Sequence, residues 1–158
     1  MGFALSNMQL TSEAFETGGT IPSKYTGEGT DVSPPLMWSA VPESAASFAI
    51  ICHDPDAPLV TRDQYGFVHW VLYNISGSAS GLDEGSGDYT RGKNDFGEEV
   101  YRGPMPPESH GDHHYFFWLM ALDAELDLEP GLRMTELMQR AESNVIAMNR
   151  LVGVYRRG

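Results

Sequence analysis

Residues 115–122 are all apolar or aromatic, and this run constrains the fold more than any other part of the chain. Side chains of a strand alternate between the two faces of a sheet, so an unbroken apolar run has to be covered on both faces. We therefore predict a central strand over residues 114–122 that lies between two packed layers, as in a β-sandwich. The similar run at residues 67–75 predicts a second strand of this kind.

Shorter apolar and β-branched runs between glycine and proline residues predict the remaining strands. These runs are residues 35–38, 46–52 and 151–155. With 17 glycines and 10 prolines in 158 residues, the chain has many candidate turns, and its length suits one domain over residues 1–158. The expected fold class is therefore mostly β.

One segment near the C-terminus, residues 135–147, predicts an α-helix. Its apolar residues recur at helical spacing: Leu137, Met138, Ala141, Val145 and Ile146. Thr135 is a suitable N-cap, because its hydroxyl can accept a hydrogen bond from a free backbone N–H. We expect this helix to cover one side of the sheets, and residues 1–7 to be flexible.

The charge of the chain limits its partners. A formal net charge of -12 at pH 7 repels nucleic-acid backbones and anionic membrane surfaces. No run approaches the roughly 18 apolar residues of a membrane span, and a signal-peptide pattern is missing, so we expect a cytoplasmic protein. The single cysteine, Cys52, excludes a disulfide within the chain.

Four polar segments are unusual for packing alone. The first is Asp54-Pro55-Asp56-Ala57-Pro58, the second is His69 within an apolar strand, the third is the proline-rich segment 103–107, and the fourth is 110–115. Each also has a simpler interpretation: a stiff turn, a hydrogen-bonded core histidine, a connector, and the start of a strand. Segment 103–107, named the rim loop below, suits the presentation of backbone N–H groups.

These segments carry side chains that could line one cavity. His113 and Tyr115 share one face of the predicted strand, and Asp54, Asp56 and His69 add two carboxylates and a second imidazole. Such a set suits a phosphate or carboxylate held against protonated histidines. On that basis we expect anion affinity to rise as pH falls from about 8 toward about 6.

In this order along the chain, the segments and their neighbours resemble the phosphatidylethanolamine-binding protein family, in particular its bacterial and archaeal Raf-kinase-inhibitor-like branch. The resemblance covers nearly the whole chain. The matching motifs are residues 10–15, 19–26, 33–38, 54–58, 69–75, 92–97, 101–115 and 151–155.

The resemblance implies an antiparallel Greek-key β fold with a small cavity at one end that binds phosphate, acetate or a phospholipid head group. It implies non-enzymatic binding without a cofactor, and modulation or inhibition of a protein partner such as a kinase or protease. The apolar parts of the long surface loops make a homodimer one candidate assembly. The family's ligand-binding residues correspond here to Asp54, Asp56, His69, Met105, Pro106, Pro107, His113 and Tyr115.

Two residues depart from the family pattern. His114 stands where the family usually has arginine. Met105 stands where glycine or cysteine is common, which would narrow the mouth of the cavity.

Two alternative functions are weighed against ligand binding. A hydrolase could use Asp54, His69 and His113, but no Gly-x-Ser-x-Gly motif is present, and residues 77–81 carry alanine at the nucleophile position. A metal site could use His110, His113 and His114, but neighbouring residues of a strand point to opposite faces. The sequence therefore favours a binding protein over an enzyme or a metalloprotein.

Overall fold

A computed structural model describes residues 3–57 and 65–158 of the chain. Within those ranges it has eight strands and one α-helix: β1 (Gln9–Thr11), β2 (Leu36–Ser39), β3 (Ser47–Asp54), β4 (Phe67–Ser76), β5 (Gly81–Leu82), β6 (Thr90–Arg91), β7 (His113–Leu122), α1 (Met134–Ala141) and β8 (Val145–Tyr155). Pro58, which ends the first polar segment, lies outside the described residues.

The strands form two antiparallel sheets. One sheet has three strands in the order β1-β2-β5, and the other has five in the order β6-β4-β3-β7-β8. The long strands β3 and β7 are neighbours at the centre of the larger sheet, with Ser47 opposite Leu122 and His53 opposite Phe116. The chain leaves β4 and returns as β7 on the far side of β3, so this sheet is not a simple meander.

Both faces of the five-stranded sheet are covered where the long strands cross. On one face Phe48 and Phe117 pack with the smaller sheet, and the rings of Phe48 and Trp38 are 5.2 Å apart. On the other face Ile51 and Leu137 belong to a second core under α1. The prediction of a central strand with core on both sides is confirmed, and with it the mostly β, sandwich-like fold with a C-terminal helix.

The predicted helix is too long at its C-terminal end. The helix spans Met134–Ala141, and Val145 begins the last strand, so residues 145–147 were predicted wrongly as helix. Val145 pairs with Leu122, and β-branched residues favour a pleated surface, so long-range strand pairing overrides the local helical spacing. Thr135 is inside the helix, and the backbone N–H of Arg133 donates to Glu136 instead.

The ends of three strands meet at one end of the five-stranded sheet. β3 ends at Asp54, two residues beyond the predicted strand, while β4 begins at Phe67 and β7 at His113. Because β3 is antiparallel to both neighbours, its C-terminal end lies beside the N-terminal ends of β4 and β7. Asp54, His69 and His113 are therefore brought together.

The N-terminal segment runs beside β8, the edge strand of the five-stranded sheet. Ser6, within the stretch expected to be flexible, donates its backbone N–H to the carbonyl of Met148 in β8, 2.9 Å away. Among the described residues, no helix combines the length and apolar character that crossing a membrane requires.

Candidate functional site

A cavity of about 210 Å³ opens at the end of the sheet where β3, β4 and β7 meet. Seven of the eight residues predicted from the sequence line it, and only Asp56 does not. The lining residues are Asp54, Ala57, Phe67, His69, Phe96, Met105, Pro106, Pro107, His113 and Tyr115. A larger hollow of about 420 Å³ lies at the opposite end of the sheet and has no histidine in its lining.

His113 is the centre of a hydrogen-bonded chain that runs from the interior to the surface. Its Nδ1 lies 2.7 Å from Oδ2 of Asp54, and both side chains are only 3% exposed. Its Nε2 lies 2.8 Å from Nδ1 of His110, which is exposed. Asp54 also accepts a 2.8 Å hydrogen bond from the backbone N–H of Asp56. The carboxylate thus orients the imidazole, and both ring nitrogens of His113 are engaged.

His69 is held from the opposite side of the cavity by the backbone. Its Nδ1 lies 2.7 Å from the carbonyl oxygen of Arg102, immediately before the rim loop. Burial lowers the pKa of His69, more strongly than the hydrogen bond to Arg102 and the charge of Asp54 raise it. At neutral pH the ring is therefore neutral, which corrects the expectation that His69 is a cationic partner for an anion.

Tyr115 lies between the two histidines and is buried. Its ring is 5.3 Å from the ring of His69, edge to face, and 6.5 Å from the ring of His113. Burial, together with the negative charge of Asp54, raises the pKa of its phenol. A hydrogen bond from the hydroxyl to Asp54 adds to this rise, so the side chain stays protonated and its hydroxyl already has an acceptor.

Asp56 points away from the cavity and fastens the loop that carries it. Its Oδ2 accepts hydrogen bonds from the backbone N–H and from Nδ1 of His114, both at 2.7 Å. These bonds lower the pKa of Asp56 although burial opposes them. The assignment of Asp56 to the ligand-contacting set is corrected: Ala57 lines the cavity, and Asp56 holds the loop against β7.

The rim loop is anchored at several points. The backbone N–H of Gly103 donates to Oδ1 of Asp31 at 2.7 Å, and Arg157 donates to the carbonyl of Pro106 at 3.2 Å. At the cavity mouth two apolar side chains remain exposed, Met105 at 44% and Phe96 at 54%. A polar floor thus lies under an apolar mouth.

Sequence reasoning missed four residues at this site. Ala57, Phe67 and Phe96 line the cavity, and the rings of Phe67 and Phe96 are 4.7 Å apart. His110 was weighed only as a metal ligand, but it contacts His113 directly. Its spacing of three residues from His113 was the available signal, since a short loop can bring such residues together.

Comparison with known proteins shows which family the chain belongs to. The sequence model of the phosphatidylethanolamine-binding protein family matches residues 11–156. This chain belongs to the phosphatidylethanolamine-binding protein family. A UPF0098 protein of Methanothermobacter thermautotrophicus is 45% identical over 158 residues, covering 96% of this chain and all of the relative.

Two solved structures of the family have the same fold. A Chlamydia trachomatis protein described as a homologue of phosphatidylethanolamine-binding protein is 40% identical, with a TM-score of 0.89 over 97% of this chain and all of that one. YbcL of Escherichia coli, described as a new member of the mammalian family, is 30% identical, with a TM-score of 0.88 over the same shares.

Of the two departures from the family pattern, only Met105 lines the cavity. His114 replaces the usual arginine outside the cavity, where its ring hydrogen-bonds to Asp56. Met105 lines the cavity, and its side chain is partly exposed. The polar floor formed by His69, His113 and Tyr115 keeps the residue types that the family resemblance implies.

Proposed function

We propose that this protein binds a small anion or phosphorylated head group in the cavity, without converting it chemically. One observation carries the proposal: Asp54, His69 and His113 are all buried, yet they converge on one cavity whose remaining lining is mostly apolar. Burying polar groups is unfavourable unless they are paired, and a cavity that gathers them suits a polar ligand.

The lining favours binding over catalysis. None of the described residues that line the cavity is a serine, threonine, cysteine or lysine. Cys52 is buried in the core, and burial raises the pKa of its thiol, which suppresses the reactive thiolate. The Asp54 carboxylate is held by His113 and by a backbone N–H, so it is poorly placed to act as a nucleophile.

The arrangement also disfavours a metal site. Within residues 3–57 and 65–158, no group of three or more histidine, cysteine or acidic side chains is placed to hold a metal ion. His113 is buried and His114 is exposed, on opposite faces of β7, so they cannot share one ion. Each is instead paired with its own aspartate.

The mouth suggests the shape of the ligand. Exposed Phe96 and Met105 can contact an apolar substituent while the polar head reaches His69 and Tyr115. The same exposed side chains would meet a protein partner, which supports the prediction that the protein modulates a partner. A homodimer and a cytoplasmic location stay predictions from the sequence.

Isothermal titration with inorganic phosphate and with acetate tests the proposal. We expect binding that weakens at least about tenfold in His69→Asn, since the ring leaves the cavity. His53→Asn is the matched control, because His53 bonds to the backbone of Tyr65 and does not line the cavity. Absence of binding up to tens of millimolar, roughly the limit of weak affinity, or turnover of an ester that is lost in His69→Ala, would refute it.

A further inference from the structure

The hydrogen positions on His69 are determined by its backbone partner. A carbonyl oxygen can only accept, so the Nδ1 that lies 2.7 Å from the Arg102 oxygen carries the hydrogen. The ring is 5% exposed and lies between the rings of Phe67, at 5.0 Å, and Tyr115, at 5.3 Å. Flipping the ring would break this bond in a buried place, so the tautomer is fixed.

The other ring nitrogen, Nε2, is the one left to the cavity. His69 lines the cavity, and among the described residues the only hydrogen bond of its ring is the one at Nδ1. Since burial lowers the pKa of the ring, Nε2 carries a lone pair at neutral pH. The cavity therefore presents a hydrogen-bond acceptor where a cationic donor was expected.

The charges around His69 also favour a ligand that donates a hydrogen bond to Nε2. Asp54, at the cavity wall, is a buried carboxylate bonded to His113; its charge and the charge of Asp31 both raise the pKa of His69, but burial outweighs them. His53 opposes them, and Tyr115 is neutral. A ligand without an acidic proton would place its negative oxygen against the Nε2 lone pair and near Asp54.

We infer that the cavity takes a phosphate group that still carries one acidic proton, and so selects free phosphate or a phosphate monoester over a phosphodiester and over sulfate. The inference rests on the proposed function, because it specifies the anion that the same cavity binds. The P–OH of the ligand donates to Nε2 of His69. The Tyr115 hydroxyl and Nε2 of His113 also face the cavity, and they can donate to the remaining oxygens only by exchanging their contacts with Asp54 and His110.

The proton balance of binding follows from this contact. A monoanionic phosphate enters with its own proton, and no proton is exchanged with water. A dianionic phosphate has to take up one proton from water, which then sits between its oxygen and Nε2. Sulfate and a phosphodiester lack a proton at neutral pH, so their binding requires protonation of the buried His69 ring.

Methyl phosphate and dimethyl phosphate form a matched pair of probes. They differ by one O–H replaced with O–CH₃, and near pH 6 a large share of methyl phosphate is a monoanion like dimethyl phosphate. In calorimetry at pH 6, we expect the monoanion of methyl phosphate to bind at least about tenfold more tightly than dimethyl phosphate or sulfate. Inorganic phosphate also carries an acidic proton, so it should bind more tightly than dimethyl phosphate as well. If methyl phosphate binds more tightly than inorganic phosphate, the preferred ligand is a phosphate monoester rather than free phosphate.

Titrations at pH 7.5 in two buffers of different ionisation enthalpy measure the proton directly. We expect methyl phosphate, then mostly a dianion, to take up close to one proton per molecule bound. Equal affinities for methyl phosphate, dimethyl phosphate and sulfate, with no proton uptake, would overturn this inference and leave anion binding standing. Binding of none of these anions would overturn the proposed function and this inference together.

The variant His69→Asn tests the role of Nε2 as a hydrogen-bond acceptor. His69→Asn can keep the buried hydrogen bond to Arg102, because the asparagine amide reaches the place of Nδ1, but it has no atom at Nε2. We expect the preference for methyl phosphate over dimethyl phosphate to disappear in it, with His53→Asn keeping the preference. A preference that survives in a folded His69→Asn protein would overturn the assignment to His69.

Discussion

Asp54 and His113 form a buried pair whose oxygen and nitrogen are 2.7 Å apart, at adjoining ends of two neighbouring strands. Asp54 ends β3, and His113 begins β7. The pair thus links the topology of the sheet to the chemistry of the cavity. It also fixes the imidazole, because the carboxylate can only accept the hydrogen on Nδ1.

Replacing Asp54 should be strongly destabilising. We expect Asp54→Ala to lower the free energy of unfolding by about 3–5 kcal/mol, since it leaves His113 and the Asp56 N–H without their buried partner. Urea denaturation measures this. Asp112→Ala, which breaks an exposed pair with Arg156, is the matched control and should change it by less than about 1 kcal/mol. Equal effects of the two substitutions would contradict the role given to Asp54.

The sequence predicted the central strands well because their apolar runs need two covered faces. The predicted strand over residues 67–75 matches β4 within one residue, and that over 114–122 matches β7 equally well. The prediction of secondary structure failed where the local spacing of apolar residues and pairing with a distant strand favour different structures. Val145 fits a helical pattern locally, but its pairing with Leu122 depends on a strand more than twenty residues earlier.

The buried His69 should make stability depend on pH. Its pKa is lower in the folded protein than the roughly 6.5 of an unfolded chain, so the full contribution is present above about pH 6.5. As pH falls below that value, the unfolded chain takes up a proton that the folded ring resists, and stability declines until the folded pKa is reached. We expect a loss of up to about 1.4 kcal/mol per pH unit.

Urea denaturation at pH 7.5 and pH 5.5 checks this linkage. The free energy of unfolding of the wild type should fall more between the two pH values than that of His69→Asn, in which this titration is absent. Parallel pH profiles of the two proteins would show that burial does not lower the pKa of His69.

The bond between Asp56 and His114 should act on ligand affinity more than on stability. Both side chains are more than a third exposed, so we expect Asp56→Ala to lower the free energy of unfolding by no more than about 1 kcal/mol. Anion affinity should fall several-fold because the wall at Ala57 is released. His114→Arg should keep the affinity for the anion, because arginine supplies a charged partner for Asp56. Calorimetric titration of both variants measures these affinities. Unchanged affinity in Asp56→Ala would contradict the positioning role of Asp56.

Gly103 should tolerate no side chain. A Cβ there would collide with the backbone oxygen of Tyr25 and crowd the side chains of Asp31 and Tyr101. We expect Gly103→Ala to lower the free energy of unfolding by about 2 kcal/mol or more and to displace the rim loop. Gly87→Ala is the control, because its Cβ meets only the exposed side chain of Arg91. Matching denaturation midpoints for the two variants would contradict the close packing behind the rim loop.

The residue types of the site could be read from the sequence, but its contacts could not. Seven of the eight predicted residues reach the cavity because strand ends and a proline-rich loop place them there. The outward turn of Asp56 and the contact of His110 with His113 depend on loop conformation, which no periodicity encodes. The tautomer of His69 depends on a carbonyl 33 residues away in the chain.

The central claim is that His69 and His113 face a bound anion, and nitrogen-15 NMR of the histidine rings during a titration with inorganic phosphate tests it most directly. The account predicts that the signals of His69 and His113 change together with one dissociation constant, that His69 starts as the Nδ1–H tautomer, and that His53 stays unchanged. Signals of His69 and His113 that do not respond up to tens of millimolar phosphate, roughly the limit of weak binding, would contradict it.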